Sequence, residues 1–318
     1  GVEFRQGLFN MTSDSHLFRT AEQLAEEGWQ RQGTDWVGSS ELPANEERYV
    51  PLYEAKMIHQ FDHRWADAGD GEDDTGLGEK STSREPNPRY WISSSVQKAE
   101  AKSARRGSGW LLASRMIARL TDERTFIASL VPDSGVGNSA AVWRQPQTEA
   151  QTAVQLIANI NSLVTDWVVR QKVGGTNMNF FYVNQFPILP PSAYSDDDLA
   201  FIVPRVLELS YTSHSMAPFA RDLGYVGEPF RWDEDRRAQL RAELDAWYAL
   251  AYGLSRDELR YVLDPKDVMG EDYPSETFRV LKNNEIKKHG EYHTQRLVLA
   301  AYDKLVSKGM RPRTEGYR

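Results

Sequence analysis

Hydrophobic positions along the chain change rhythm several times, and each rhythm predicts a different element. Residues 13–28 place Leu17, Phe18, Ala21, Leu24 and Ala25 at helical spacing, with Ser13 as a cap and Gly28 as a stop. Residues 48–53 form an apolar and aromatic run of strand character. From 67 to 88 Gly, Asp, Glu, Ser and Thr dominate, which predicts a long polar loop. The apolar runs 110–120 and 124–131 flank Thr121-Asp122-Glu123 and predict a β-hairpin, and Gly135-Val136-Gly137-Asn138 a turn. Residues 147–171 carry the strongest helical period, through Ala153, Leu156, Ile157, Ile160, Leu163, Val164, Trp167 and Val168. Gly174-Gly175 is expected to close that helix with left-handed backbone. Residues 179–186 then read as a returning strand, stopped by Pro187 and Pro190-Pro191.

Past these prolines the period is helical. Asp196-Asp197-Asp198 puts carboxylates where a helix start favours them. Residues 233–252 form an amphipathic helix with Leu240, Leu244, Trp247, Tyr248 and Ala251, ended by Gly253. Ser255-Arg256-Asp257-Glu258 has capping-box form and opens a helix to Leu263; a last helix, 291–307, carries Leu297, Val298, Ala301 and Leu305. The fold class predicted is α+β: a β-hairpin or small sheet with a long helix, followed by a mainly helical region.

Composition narrows the chemistry. The 318 residues contain no cysteine, so disulfides, thiolate metal sites and cysteine nucleophiles are excluded. Hydrophobic residues make up 40%, enough for a sizeable core, yet no apolar run reaches membrane-spanning length. The opening Gly1-Val2-Glu3-Phe4 lacks a Met, a basic start and an apolar run, as expected of a piece of a longer, cytoplasmic protein. A net charge of -8 argues against nucleic acid only until its distribution is read. Residues 101–180 hold 9 basic and 5 acidic groups, and residues 279–318 hold 10 and 4. Phosphate attraction acts over about 8 Å at physiological salt, so a local basic face suffices.

Several separated blocks resemble one family. Tyr49-Val50-Pro51-Leu52-Tyr53-Glu54-Ala55-Lys56-Met57-Ile58-His59-Gln60-Phe61-Asp62-His63-Arg64 resembles the start of the C-terminal region of restriction–modification and phage-defence adenine-specific DNA methyltransferases of type IIG-like architecture. Arg170-Gln171-Lys172-Val173-Gly174-Gly175-Thr176-Asn177 and Gln185-Phe186-Pro187-Ile188-Leu189-Pro190-Pro191 are similar to the close of their target-recognition domain, and to type I specificity subunits. Ala217-Pro218-Phe219-Ala220-Arg221-Asp222-Leu223-Gly224-Tyr225 and His289-Gly290-Glu291-Tyr292-His293 resemble the family's helical tail. The resemblance implies a connector to an absent catalytic domain (1–44), a DNA target-recognition domain (45–192) and a helical C-terminal domain (193–318). It implies double-stranded DNA and the parent chain's catalytic domain as partners, and no membrane. The parent would use S-adenosylmethionine; no cofactor is expected in this segment. The family's aromatic-x-Gly-x-Gly cofactor loop and its Asn/Asp-Pro-Pro-aromatic tetrapeptide do not occur here. Asn87-Pro88-Arg89-Tyr90 is the nearest approach, with Arg in place of the second proline.

The candidate DNA-contacting residues are Lys56, Arg115, Arg119, Arg124, Arg170, Lys172, Asn177 and Asn179. Asn reads adenine through paired donor and acceptor groups, and Arg or Lys reads guanine or phosphate. His59 and His63, four apart, would share a helix face, but no third ligand is evident and a packed or phosphate-contacting pair is the simpler reading. Glu54-Ala55-Lys56 has the form of a magnesium nuclease site, with Asp35 as a second carboxylate. Lys172 with Gly174-Gly175 lacks the spacing of a phosphate loop. The tail 304–318 is basic, as phosphate contact or a solvated end requires. A rival reading is a protein-interaction module that docks a partner subunit through the acidic regions 1–100 and 181–278.

Overall fold

The computed structural model describes residues 3–38, 48–68, 80–102, 109–117, 119–144, 149–274 and 276–310. The fold is mixed α+β: the strands end at Arg144, and the chain beyond is helical. It divides into two compact units, each discontinuous in sequence. The first comprises Gly1–Ile117, Ile127–Ile157 and Val206–Trp232; the second comprises Ala118–Phe126, Ala158–Arg205 and Asp233–Arg318.

The first unit is built on two largely antiparallel sheets. Its strands are β1 (Glu3–Gln6), β2 (Phe18–Arg19), β3 (Gln30–Gln32), β4 (Asp35–Val37), β5 (Arg48–Tyr53), β6 (Trp91–Ser93), β7 (Trp110–Arg115), β8 (Ala128–Pro132), β9 (Gly135–Val136) and β10 (Ala140–Arg144). One sheet has the order β1-β10-β7-β8; the other runs β2-β6-β5-β4-β3, with β9 parallel to β5. Leu52, Met57, Ile92, Leu111, Val131 and Val142 share one core. Both faces of β7 and β8 are buried, which is why these strands read as continuous apolar runs rather than alternating ones. Gly7 is required where it stands: its φ is +62° and a Cβ would lie 2.6 Å from the Gly137 carbonyl oxygen. Helices α1 (Ala21–Glu26) and α2 (Ser94–Lys102) belong to this unit, as does α7 (Ala217–Asp222).

Helix α3 (Ala150–Ile160) precedes α4 (Leu163–Lys172), α5 (Phe180–Val183) and α6 (Asp196–Ser210). The second unit's remaining helices are α8 (Glu234–Ala251), α9 (Arg256–Leu263), α10 (Pro265–Met269), α11 (Arg279–His289) and α12 (His293–Ser307). Asp233 caps α8, and Ser255 with Glu258 forms the expected capping box of α9.

Four elements differ from the sequence expectation. The helix expected over 13–28 is shortened to α1, because Thr20 and Gln23 close a capping box only there and Phe18 pairs with Ile92; Gly28 stops it as expected. The β7–β8 hairpin forms, but its strands end at Arg115 and resume at Ala128, not at Thr121-Asp122-Glu123. The helix expected over 147–171 is two, broken at Asn161-Ser162, where the Ser162 hydroxyl accepts from Thr165 N–H and restarts the helix. Residues 145–148, including Gln147, lie outside the described residues, as do 69–79 of the polar loop and 311–318 of the basic tail. The strand expected over 179–186 is instead the helical turn α5: the Asn179 carbonyl accepts from Tyr182 and Val183 N–H. Burial of Met178, Val183 and Phe186 has no period of two.

Candidate nucleic-acid interface

A buried ionic frame in the second unit sets the candidate surface. Asp166, in α4, is fully buried and accepts from Arg124 Nε at 2.9 Å and from the N–H groups of Thr125 and Phe126 at 3.1 Å each. Arg124 also donates to the Asn161 carbonyl at 2.6 Å. Arg170, one turn on, donates to the carbonyls of Leu120, Asp122, Glu123 and Thr277 at 2.8–3.2 Å. Its guanidinium lies 4.8 Å from the Phe278 ring centre. Burial lowers the Arg170 pKa from its ordinary value, and the Asp166 charge opposes that shift. These bonds fasten the segment 119–126 against α4. Arg124 and Arg170, grouped in the sequence with the DNA-facing residues, are thus buried on protein acceptors.

Where α4 ends the surface opens. Lys172, Gly174, Gly175, Thr176, Asn177 and Asn179 are all exposed, while Val173 and Met178 between them are buried and hold the loop down. The two glycines do not form the left-handed cap expected of them. Val173 caps the helix at φ -84°, and neither glycine adopts a left-handed φ. A Cβ added to either would meet nothing within 4 Å. Among the described residues no contact therefore calls for glycine here, and what remains is backbone stripped of side chains on an open surface. Arg119 is also exposed, on the segment that Arg170 fastens to the end of α4. Arg119, Lys172, Asn177 and Asn179 are thus exposed residues of the second unit, on α4, the loop after it and the segment that Arg170 fastens to it. Lys56 and Arg115 lie in the first unit: Lys56 is exposed and donates to the Ala68 carbonyl at 3.2 Å, and Arg115 Nε donates to the Ile58 carbonyl at 2.8 Å.

Sequence reading missed two features. Phe181, on α5, is 73% exposed; a strand assignment for 179–186 hid it. The second is a buried polar hub in the first unit, made by Asp62, His63 and Arg64. His59 and Asp62 close a tight turn, with Phe61 at φ +58° and its N–H donating to the Ala128 carbonyl at 3.1 Å. His59 and His63 are therefore not on a helix. Arg64 donates to the carbonyls of Ser81, Arg84 and Thr212, and Asp62 meets Lys80 Nζ at 2.5 Å. His63 Nε2 lies 3.0 Å from Ser213 Oγ, 3.2 Å from Ser215 Oγ and 3.4 Å from Glu85 Oε2. Burial pushes the Glu85 carboxyl up, but His63 and the two serines outweigh it and hold it below the ordinary range. Hydroxyl and acid meet the same ring nitrogen, whereas a Ser-His-acid relay places them on opposite nitrogens. The hub fastens segments of its unit together.

The nuclease geometry is not assembled around Glu54. The β4–β5 register sets Trp36 opposite Tyr49, which leaves Asp35 and Glu54 separated by four residues along the strand. At about 3.3 Å per residue that is on the order of 13 Å, too far for one metal ion to bridge. Asp35 pairs instead with Arg48 at 3.2 Å, and burial raises its pKa. Among the described residues no three His, Asp or Glu side chains converge as metal ligands. No helix among them is long and apolar enough to cross a membrane.

Neither Gly135 nor Gly174-Gly175, two of the described glycine segments, has the form of an S-adenosylmethionine cradle. Cofactor loops lead from a strand into a helix N-terminus, where free N–H groups face the ligand. Gly174-Gly175 follows a helix C-terminus, and the space a cradle would need at Gly135 is filled by Leu52, whose Cδ1 would lie 2.8 Å from an added Cβ. Comparisons of the chain with protein-family models, with curated proteins and with solved structures found no match.

Proposed function

We propose that this chain is the DNA-recognition region of a restriction–modification or phage-defence adenine-N6 DNA methyltransferase. In this reading it binds double-stranded DNA, while a catalytic domain elsewhere in the parent chain binds S-adenosylmethionine and transfers the methyl group. The observation that carries it is the exposed loop after α4, where a lysine, two glycines with open space around them and two asparagines stand on a rigid ionic frame. Side-chain-free backbone lets a bulky ligand approach closely, and Asn amides offer the paired donor and acceptor that an adenine edge matches. The helix C-terminus alone would repel phosphate, but Arg170 and Lys172 sit in its last turn and offset that dipole. Of the eight sequence candidates, Arg119, Lys172, Asn177 and Asn179 carry the reading in the second unit, and Lys56 supports it as an exposed cation in the first.

Binding of a labelled duplex pool measured across a salt series tests this. The chain should bind at low salt and weaken steeply as salt rises, and Lys172→Ala should weaken every sequence alike while reducing the salt slope by about 1. Asn177→Ala or Asn179→Ala should instead change which sequences are enriched. Absence of duplex binding at low salt would sink the reading and favour a module that docks a protein partner.

A further inference from the structure

Among the Phe, Tyr and Trp side chains whose burial is described, Phe181 is the one that is exposed, with 73% of its surface open. Its position is fixed by what lies on either side. Met178, Val183 and Phe186 are buried, and the Phe186 ring packs 5.5 Å from Phe126. Gln185 Nε2 donates to the Phe181 carbonyl at 3.0 Å, and the Tyr182 ring stands edge-on at 5.8 Å. The ring is therefore presented from a fastened turn.

Its polar neighbours in sequence decide what it fits. Asn177, Asn179, Asn184 and Gln185 are exposed around it in sequence, with Lys172 and Thr176 at the near end of the loop. A phenyl ring has neither donor nor acceptor, so it recognises another π-face; amides recognise the edges of planar polar groups. A nucleobase matches both parts, one face apolar and its edges polar. Resting on the reading of this surface as a DNA reader, we propose that Phe181 inserts against one base step of the bound duplex and stacks on a nucleobase there. The neighbouring amides then read the edges that the opened step exposes.

The test selects a duplex on the full chain from a pool with a randomised core, then replaces each adenine of the selected site by fluorescent aminopurine. One position should brighten on binding, as an unstacked base does. Phe181→Ala should keep the wild-type melting curve, lose about tenfold or more in affinity and abolish that brightening, whereas Phe181→Trp should keep both. Wild-type binding with an unchanged affinity and signal in Phe181→Ala overturns the stacking role and leaves the DNA reader standing. A wild-type chain that selects no duplex overturns the reading beneath it.

Discussion

Arg170 spends four of its donors on backbone carbonyls, and Arg124 spends its own on Asp166 and Asn161. In the sequence they are indistinguishable from Arg119, which is exposed. A basic residue's role depends on whether its charge meets a partner inside the fold, and one-dimensional spacing does not report that. The same frame yields a pH dependence. Asp245 accepts from Leu163 N–H at 2.7 Å, and burial pushes its pKa up to about 6, against the pull of Arg124 and that hydrogen bond. Its folded pKa lies above the unfolded one, so between the two the folded state keeps a proton that the unfolded chain has released. Stability should thus fall as pH rises from about 4 to about 6 and stay level above, by at most about 3 kcal/mol from this group. Asp245→Asn keeps an acceptor for Leu163 and loses the titration. Urea melts of both proteins across that range should diverge with rising pH, and parallel curves would show that Asp245 does not titrate there.

At the scale of elements, the helix break at Asn161-Ser162 and the α5 turn carry the lesson. The apolar period from Ala153 to Val168 continues through both helices, so it could not mark the break; the signal was Ser162, a good cap that also tolerates mid-helix positions. Ser162→Ala should cost about 1 kcal/mol, read from denaturant midpoints. Segment 179–186 misled because Phe180 to Val183 is rich in strand formers, whereas the buried anchors Met178, Val183 and Phe186 and the Asn179 carbonyl bonds settle it as a turn. Gly174-Gly175 were legible as a helix end but not as open surface. Gly174→Ala and Gly175→Ala should leave stability unchanged or raise it by up to about 1 kcal/mol, since no clash awaits the Cβ. The same variants should weaken duplex binding. A marked loss of stability instead would mean that the glycines serve the fold.

Across the whole molecule, neither unit is a continuous stretch of chain. In the first unit Arg64 donates to the Thr212 carbonyl, Trp110 Nε1 to Asp222 at 2.8 Å, and His63 meets Ser213. Cutting after residue 192, where composition turns helical, removes those partners and leaves Arg64 buried without them. The fragment 1–192 should accordingly lose cooperative unfolding and near-ultraviolet circular dichroism, since breaking a buried charged network costs about 3–5 kcal/mol, a large share of a domain's stability. A fragment that melts cooperatively near the full chain's temperature would refute this dependence.

Local interactions were written in the sequence. The capping box at Ser255, the apolar β5 and β7 and the helical period of 233–252 all follow from neighbours a few residues apart. Only tertiary structure decided which arginines are buried, that Asp35 and Glu54 lie apart, that His63 meets residues 150 or more positions away, and that Phe181 faces outward. The physical reason is common to all four. Burial and ion pairing are set by residues distant in the chain, and their energies depend on the dielectric and geometry that only the folded chain creates.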